Sequence, residues 1–389
     1  MKNPPAVLIS ARRSAIGRIG GLHRARRLEE LAAPVLAAAL ADARCEASNV
    51  QGMILGNVSA GSNPARKVAL ASGLPETSFA LSLDSQCASG LDAILAAFRR
   101  VAAGEADVIV AGGAESLSTA PWRIARPKNP YQMPHFIGME PLGADASGDA
   151  LAFEASEVLA RQLDITRLAQ DAYAVQSHVG AELARERRGF IGEIAAFRAN
   201  PEETRDQNNP ASDFDDLADM TPFQPNEGTL TPGNTSALAD GAAFGVVVSG
   251  RAWKDLGYPK GLVLQRNLSY GAPAAAAARA GLAALELLLQ RGDDAGARDV
   301  SRLSAIETSE ASAAEAIAIV RSLKLSDGVL NAAGGAIVRG HPLGAASAVS
   351  VVRLFSRLIR GEKKAGGTGA VLQGAIGGLG VAAIFEAVG

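Results

Sequence analysis

The chain has 389 residues, and its 38 Lys and Arg against 40 Asp and Glu leave a formal net charge of -2, which supplies no field for holding nucleic acid or an anionic membrane surface. A hydrophobic fraction of 48% excludes a disordered chain, while 42 Gly and only 4% aromatic residues favour Ala-rich helices packed closely on strands over an aromatic β-sandwich. Two cysteines, Cys45 and Cys87, make no disulfide framework and fit a reducing compartment.

The first apolar run, Ala6 to Ile9, is too short for a secretory signal, and charges such as Arg279 and Glu286 interrupt the longest apolar stretch, so the sequence predicts a cytoplasmic protein. Short Val/Ile/Leu runs bounded by glycine alternate with amphipathic, Ala-rich stretches, the pattern of a mostly parallel sheet covered by helices. In chain order the expected elements are strand Ala6 to Ser10, helix Arg27 to Ala43, strand Gly52 to Gly56, helix Pro64 to Ser72, strand Ala80 to Leu83, helix Ser89 to Ala103 and strand Val108 to Gly112. There follow helices Leu151 to Leu163 and Arg167 to Arg187, strands Gly245 to Ser249 and Leu262 to Arg266, and helix Ala274 to Gln290. The chain closes with strand Arg302 to Glu307, helices Ala311 to Leu323 and Ala345 to Ile359, and strands Gly369 to Gln373 and Val381 to Glu386. Between about Leu117 and Asn234, Pro-rich segments and an acidic stretch flank two helices with apolar stripes, which reads as an insertion lying over the sheet.

One arrangement occurs twice. Ala80 to Leu83 leads into Gln86-Cys87-Ala88-Ser89-Gly90, a helix and the strand from Val108, while Asn331 to Val338 leads into Arg339-Gly340-His341-Pro342-Leu343-Gly344, a helix and the strand from Gly369. Cys87 stands where the free N-H groups of the next helix point, a setting that lowers a thiol from about 8.5 toward neutrality, and its small neighbours leave room for an acyl group. A lone intracellular cysteine is more often simple packing. The context of strand, cysteine and helix makes Cys87 the candidate nucleophile, and Cys45, beside Arg44 and Glu46 with nothing to activate it, reads as structural. A neutral His341 in its glycine-flanked turn would deprotonate Cys87 and then hydrogen-bond a thioester oxygen. His23 among arginines and His178 on a polar helix read as surface residues, and His135 as within reach of a substrate. Gly378-Leu379-Gly380 offers backbone N-H groups for an oxyanion hole. The sequence has neither a Cys/His zinc cluster nor a G-x-S-x-G elbow.

Arg13-Ser14-Ala15-Ile16-Gly17-Arg18, then Gly56-Asn57-Val58 with Asn63-Pro64-Ala65-Arg66, then Cys87-Ala88-Ser89-Gly90-Leu91 and Gly112-Gly113-Ala114-Glu115-Ser116-Leu117-Ser118 occur in that order. Further on come Thr231-Pro232-Gly233-Asn234-Thr235-Ser236, Asp240-Gly241-Ala242-Ala243, and Gly334-Gly335-Ala336-Ile337 with Gly340-His341-Pro342-Leu343-Gly344. Along nearly its whole length the chain thereby resembles the thiolase family. The resemblance implies an α/β fold of two fused βαβαβ-type halves with pseudo-twofold symmetry, residues 1–116 with 235–260 and residues 261–389, and an inserted loop domain over 117–234. It implies a homodimer or homotetramer with acyl-CoA and CoA as partners, a coenzyme A thioester as substrate, and no permanently bound cofactor or metal. It makes Cys87 the acyl carrier and His341 its base, matches Ser236 and Phe223 to contacts of the pantetheine arm, and matches Gly380 to backbone that completes an oxyanion hole with the Cys87 N-H.

Two departures bear on the reaction. The family's C-x-G-G-G-x-G box, whose cysteine moves the α-proton of a second acyl-CoA, corresponds to Gln373-Gly374-Ala375-Ile376-Gly377-Gly378-Leu379-Gly380, so the cysteine falls on Gly374, or on Ala375 with one residue gapped. The N-E-A-F box, whose Asn orders an oxyanion-hole water, corresponds to Ser309-Glu310-Ala311-Ser312, where Ser309 can still bind that water but is shorter and differently aimed. Acylation needs only Cys87, His341 and backbone donors, whereas carbon-carbon bond formation loses an acid/base commonly worth about 10²–10⁴ in rate. The leading reading is an acyltransferase that passes an acyl group from Cys87 to an acceptor; the alternatives are a homologue that only binds CoA esters or serves in a complex, and an acyl-CoA hydrolase. His135, Phe136 and Met139 are candidate walls of the acyl pocket.

Overall fold

The computed structural model describes residues 5–137, 148–197, 201–207, 214–291, 299–361 and 367–389. Its strands are β1 (Val7–Arg13), β2 (Gly17–Arg18), β3 (Gly52–Gly56), β4 (Phe79–Leu83), β5 (Val108–Glu115), β6 (Arg123–Ile124), β7 (Phe136–Ile137), β8 (Ala239–Val248), β9 (Gly261–Gly271), β10 (Leu303–Glu307), β11 (Thr368–Ala375) and β12 (Leu379–Val388). Its helices are α1 (Leu28–Ala43), α2 (Pro64–Ala71), α3 (Ser89–Ala102), α4 (Gly148–Gln162), α5 (Arg167–Glu186), α6 (Phe214–Ala218), α7 (Gly250–Asp255), α8 (Ala277–Gln290), α9 (Ala313–Leu323), α10 (Ala336–Arg339) and α11 (Leu343–Phe355). Several begin where local chemistry dictates: Asn63 caps α2 with Pro64 in its first turn, Thr166 caps α5, and Ser312 caps α9.

One sheet runs β10-β11-β12-β9-β1-β8-β5-β3-β4, with β2 beside β8, and β6 pairs separately with β7. β3 is parallel to β4 and β5, and β10 to β11, while the other ladders are antiparallel. The sheet is therefore mixed, which corrects the expectation of a mostly parallel one. Strands buried on both faces read as apolar runs whichever way they point, so the runs alone carried no direction. The path is symmetric about the β1-β9 pair: β4-β3-β5-β8-β1 on one side answers β10-β11-β12-β9 on the other. Where symmetry calls for a strand ahead of the His341 turn, there is only the isolated bridge between Ile306 and Leu330, followed by the helical turn α10.

Alternation along the strands sorts side chains into layers. Leu8 and Ala11 of β1, Ile109 and Ala111 of β5, Val371 and Ala375 of β11, and Val381, Ala383 and Phe385 of β12 share one core with α3 and α11. Their neighbours Val7, Ile9, Val108 and Val110 pack with α1 and α2, and Ala370, Leu372, Ala382 and Ile384 with α8 and α9. Every residue of α11 is buried, as expected of a helix enclosed by both halves. The small residues permit close crossing: a Cβ on Gly90 would stand 2.8 Å from the Ala348 Cβ, and one on Gly113 would collide with the Gly344 carbonyl. The starts of α3 and α11 are thus pressed together, with Leu91 N-H donating to Ser347 Oγ at 2.9 Å.

The inserted region buries its apolar stripes on helices, not on the sheet, whose faces are already covered. α4 packs on α8 and α9, and α5 on α9 and α10, with Leu159, Ala160 and Ile165 against Ala314 and Ala318. A buried ion cluster ties the region to the core. Arg13 of β1 donates from Nε to Glu193 at 2.6 Å and from both terminal nitrogens to Asp206, and Arg353 of α11 holds the other oxygen of Glu193.

Candidate active site

A 3-10 turn, Gln86–Ala88, carries Cys87 from β4 into α3. Gln86 takes a φ of +55°, a left-handed backbone that an ordinary residue keeps only when its surroundings hold it there. Ser89 Oγ donates to the Gln86 carbonyl at 2.5 Å and accepts from the Ser85 N-H, while Asp84 accepts from the Gln86 N-H. Cys87 is 7% exposed, and burial, then the nearby Glu315 carboxylate, push its thiol up to about 12 against the N-H groups of Ile376 and of Cys87 itself. The expectation of a thiol lowered toward neutrality is reversed. A helix N-terminus contributes about 0.3–1 kcal/mol at an exposed site, less than the cost of stripping solvent from a thiolate, and the charges acting on Cys87 are carboxylates, Glu315 and Glu115.

His341 is fixed by its backbone in the turn before α11: its N-H donates to Ala237 O at 2.7 Å and its carbonyl accepts from Ala239 at 3.2 Å, with Gly340 at φ +101°. Ring Nδ1 lies 2.9 Å from Ser309 Oγ. In the tautomer that places the proton on Nδ1, Ser309 Oγ accepts it and Nε2 keeps its lone pair for base chemistry. Burial pushes the imidazole down to about 4. At neutral pH the resting pair is a thiol and a neutral imidazole.

Two further side chains, unassigned by the sequence reading, hold these loops. Glu115, ending β5, accepts from Asn57 Nδ2, from the N-H groups of Val58 and Ser59, from Ser59 Oγ, and from the Gly344 N-H in the first turn of α11. Gln373 donates from Nε2 to the Ser309 carbonyl at 3.0 Å and accepts from the Ser309 N-H, fixing the residue that touches His341. A charged residue straight after the apolar run 108–114 was the one signal for Glu115; Gln373 left none.

The remaining candidates fall as follows. The N-H aimed at the Cys87 sulfur belongs to Ile376, in the turn between β11 and β12, whereas Gly380 lies inside β12 between Gly374 and Tyr270. Gly378 donates its N-H to Ala375 O, so that N-H is spent on closing the hairpin. Ser309 orients the imidazole. Ser236 sits on Ala311, donating to its carbonyl at 3.3 Å, which brings it beside the Ser309 loop. Phe223, 44% exposed, stacks on Phe153 at 4.5 Å in the inserted region. A cavity of about 590 Å³ opens beside Gln86 and Leu343, the neighbours of the two reactive loops, with Trp122, Phe136 and Ile137 among its walls. His135 is exposed, and Met139 lies outside the described residues. His23 and His178 are buried, contrary to expectation: His23 bridges Ala15 O and Arg26, and α5 turns His178 inward. Cys45 is half-buried, its thiol raised by burial and Glu46, in keeping with a structural role.

Among the described residues no group of His, Cys, Asp or Glu could hold a metal ion, and no helix is long and apolar enough to cross a membrane. Residues 6–251 match the family described as thiolase, N-terminal domain, and residues 267–387 that described as thiolase, C-terminal domain. The acetyl-CoA acetyltransferase of Rhizobium meliloti (strain 1021) is 33% identical over 400 residues, covering 99% of this chain and 100% of that protein. The solved Bacillus anthracis acetyl-CoA acetyltransferase superposes with a TM-score of 0.87 at 29% identity over 100% of both chains. Human mitochondrial 3-ketoacyl-CoA thiolase, solved in complex with CoA, gives a TM-score of 0.86 at 27% identity over 99% of this chain and 98% of that one. The chain belongs to the thiolase family, of which it carries both the N-terminal and the C-terminal domain.

Proposed function

We propose that the protein is a CoA-dependent acyltransferase, taking an acyl group from acyl-CoA onto Cys87 and passing it to a second acceptor. The observation that carries this reading is the pairing of two closely packed helix starts, one bearing a buried thiol that receives the Ile376 N-H and the other bearing an imidazole oriented by Ser309. His341 takes the thiol proton as sulfur attacks the thioester carbonyl, so charge appears only as the oxyanion forms, where the N-H groups of Cys87 and Ile376 meet it. Collapse expels CoA thiolate, which takes the proton from His341 and leaves acyl-Cys87.

Acetyl-CoA acetyltransferase relatives and a CoA-bound neighbour support the substrate class. Ser236 and Phe223 are our candidates for the pantetheine arm, and the cavity walled by Trp122 and Phe136 for the acyl chain. Homodimeric or homotetrameric assembly, a cytoplasmic location, the absence of a resident cofactor and division into 1–116 with 235–260, 117–234 and 261–389 belong to the same reading and rest on the family resemblance. The test is intact mass after mixing with a panel of acyl-CoAs, followed by a chase with CoA, a second acyl-CoA or buffer alone. One acyl adduct is expected, absent from Cys87→Ser and discharged by CoA or acyl-CoA. No adduct with any ester would refute the reading, and equally fast discharge by buffer alone would make the protein a hydrolase.

A further inference from the structure

Passing the acyl group from Cys87 to a carbon acceptor requires removal of an α-proton, and two carboxyl groups act on Cys87. Glu115 accepts hydrogen bonds on both oxygens from the loop after β3 and from the start of α11, which leaves it no lone pair to offer. Glu315 is differently placed. It lies in the first turn of α9, 5% exposed, and only Oε2 is engaged by a donor, the Ala311 N-H at 2.9 Å. Oε1 points at β11, 3.3 Å from where a Cβ on Gly374 would stand. A Cβ there would also stand 3.0 Å from the Ala277 carbonyl and 3.5 Å from the Gly281 nitrogen, so the Glu315 carboxyl packs against bare backbone at the position where the family's proton-moving cysteine falls, and it is close enough to Cys87 to be the largest influence on it after burial.

We infer that Glu315 is the acid/base of the acceptor half-reaction, acting from beside Gly374; the inference rests on the reading that Cys87 carries the acyl group. The Glu315 carboxylate takes an α-proton from the acceptor acyl-CoA. The electron pair left on carbon forms the new bond to the acyl carbonyl carbon, the carbon-sulfur bond to Cys87 breaks, and the departing thiolate takes the proton back from Glu315. The net change moves the acyl group from sulfur to carbon and one proton from carbon to sulfur. Burial, with Glu310 adding to it against the Ala311 N-H, pushes Glu315 up to about 8. That is near the operating pH, where a base is most effective, whereas burial leaves His341 at about 4 and a far weaker base.

Glu315→Gln keeps an oxygen for the Ala311 N-H and so preserves the start of α9. Wild-type and variant proteins are mixed with acetyl-CoA in D₂O, and the Cys87 adduct, its discharge by further acetyl-CoA and deuterium entry into the acetyl methyl are followed by mass spectrometry. The variant is expected to acylate within about twofold of wild type, while exchange and discharge fall by about 10²–10⁴. Unchanged exchange and discharge in an acylating variant would overturn the inference and leave the role of Cys87 standing. Wild type that acylates without exchange, or a variant that fails to acylate, would overturn it too. No wild-type adduct with acetyl-CoA or with the wider acyl-CoA panel would overturn the underlying reading instead.

Discussion

A thiol at about 12 beside an imidazole at about 4 behaves differently from an ion pair when it is alkylated. Only the thiolate reacts with iodoacetamide. At pH 8 a thiol of pKa about 12 is ionised to about 10⁻⁴, against roughly a quarter for an unperturbed one near 8.5. The greater nucleophilicity of a more basic thiolate, with a Brønsted slope of about 0.4–0.5, recovers roughly 30-fold of that difference. Cys87 in the free protein should therefore react about 10²-fold more slowly than a model thiol at pH 8, with a rate that climbs steadily to pH 10 and shows no plateau. His341→Ala should leave this profile unchanged, because a neutral imidazole contributes no charge, yet it should slow acylation by acyl-CoA by about 10²-fold or more. Peptide mass spectrometry reports Cys87 and Cys45 separately in one sample, so Cys45 controls for reagent and pH. A plateau between pH 5 and 8 that disappears in His341→Ala would refute the neutral pair and establish a thiolate-imidazolium one.

Ser309→Ala strands the Nδ1-H of His341 in a buried site, so a loss of about 1–3 kcal/mol in urea unfolding should accompany a slower single-turnover acylation; unchanged acylation would remove Ser309 from the positioning role. Burial alone would raise Glu193, but Arg353 and Arg13 override it and hold it down to about 2. Its folded pKa lies below the unfolded value, so its contribution is complete above about 4.5 and is lost as pH falls toward 2. Glu193→Gln should cost about 3–5 kcal/mol at pH 7 and flatten the acid limb of unfolding in that window. Glu315 has the opposite sign: its folded pKa is raised, so the protein loses stability as pH rises from about 4.5 through about 8. Glu315→Gln should thus gain on wild type by a few kcal/mol between pH 5 and 9 in urea titrations, and parallel curves would contradict a buried, protonated Glu315.

Most strand and helix positions were legible because each run had a period and a boundary. Gly52 to Gly56 coincides with β3 as read, and α2, α3 and α5 differ from expectation by one residue at an end. Strand direction was not legible, since the antiparallel β8 and β12 are as apolar as β3 and β5, which pair in parallel. Of the site, Cys87 and His341 stood out because each precedes a helix, Cys87 after a strand and with small neighbours, His341 in a glycine-flanked turn. The Ile376 N-H was invisible: a backbone donor leaves no mark in the side chain, and the neighbouring glycines drew attention to Gly380. His23 was misjudged from its arginine neighbours, although Arg26 itself is what binds the ring in the interior. Glu315 went unremarked in the sequence, and the fold is what shows that its second oxygen faces the bare strand at Gly374.

One cause, burial, pushes the groups of this site in opposite directions, because it penalises whichever form is charged. The imidazole falls to about 4 while the thiol rises to about 12 and the Glu315 carboxyl to about 8, so all three rest neutral at pH 7. A neutral resting thiol and imidazole do not stabilise the ground state of acylation through charge. Acylation creates its own ion pair, His341 with the oxyanion, and fixed N-H groups of Cys87 and Ile376 are in place before that charge appears; in the second half-reaction the ionised fraction of Glu315 takes the α-proton and its negative charge passes to the acceptor carbon. Interactions that strengthen only as the reaction proceeds lower the barrier without tightening substrate binding. On this argument Glu315→Gln should leave the apparent affinity for the first acyl-CoA unchanged while it depresses turnover to a carbon acceptor, and a matching fall in affinity would show that the carboxyl acts on the ground state instead.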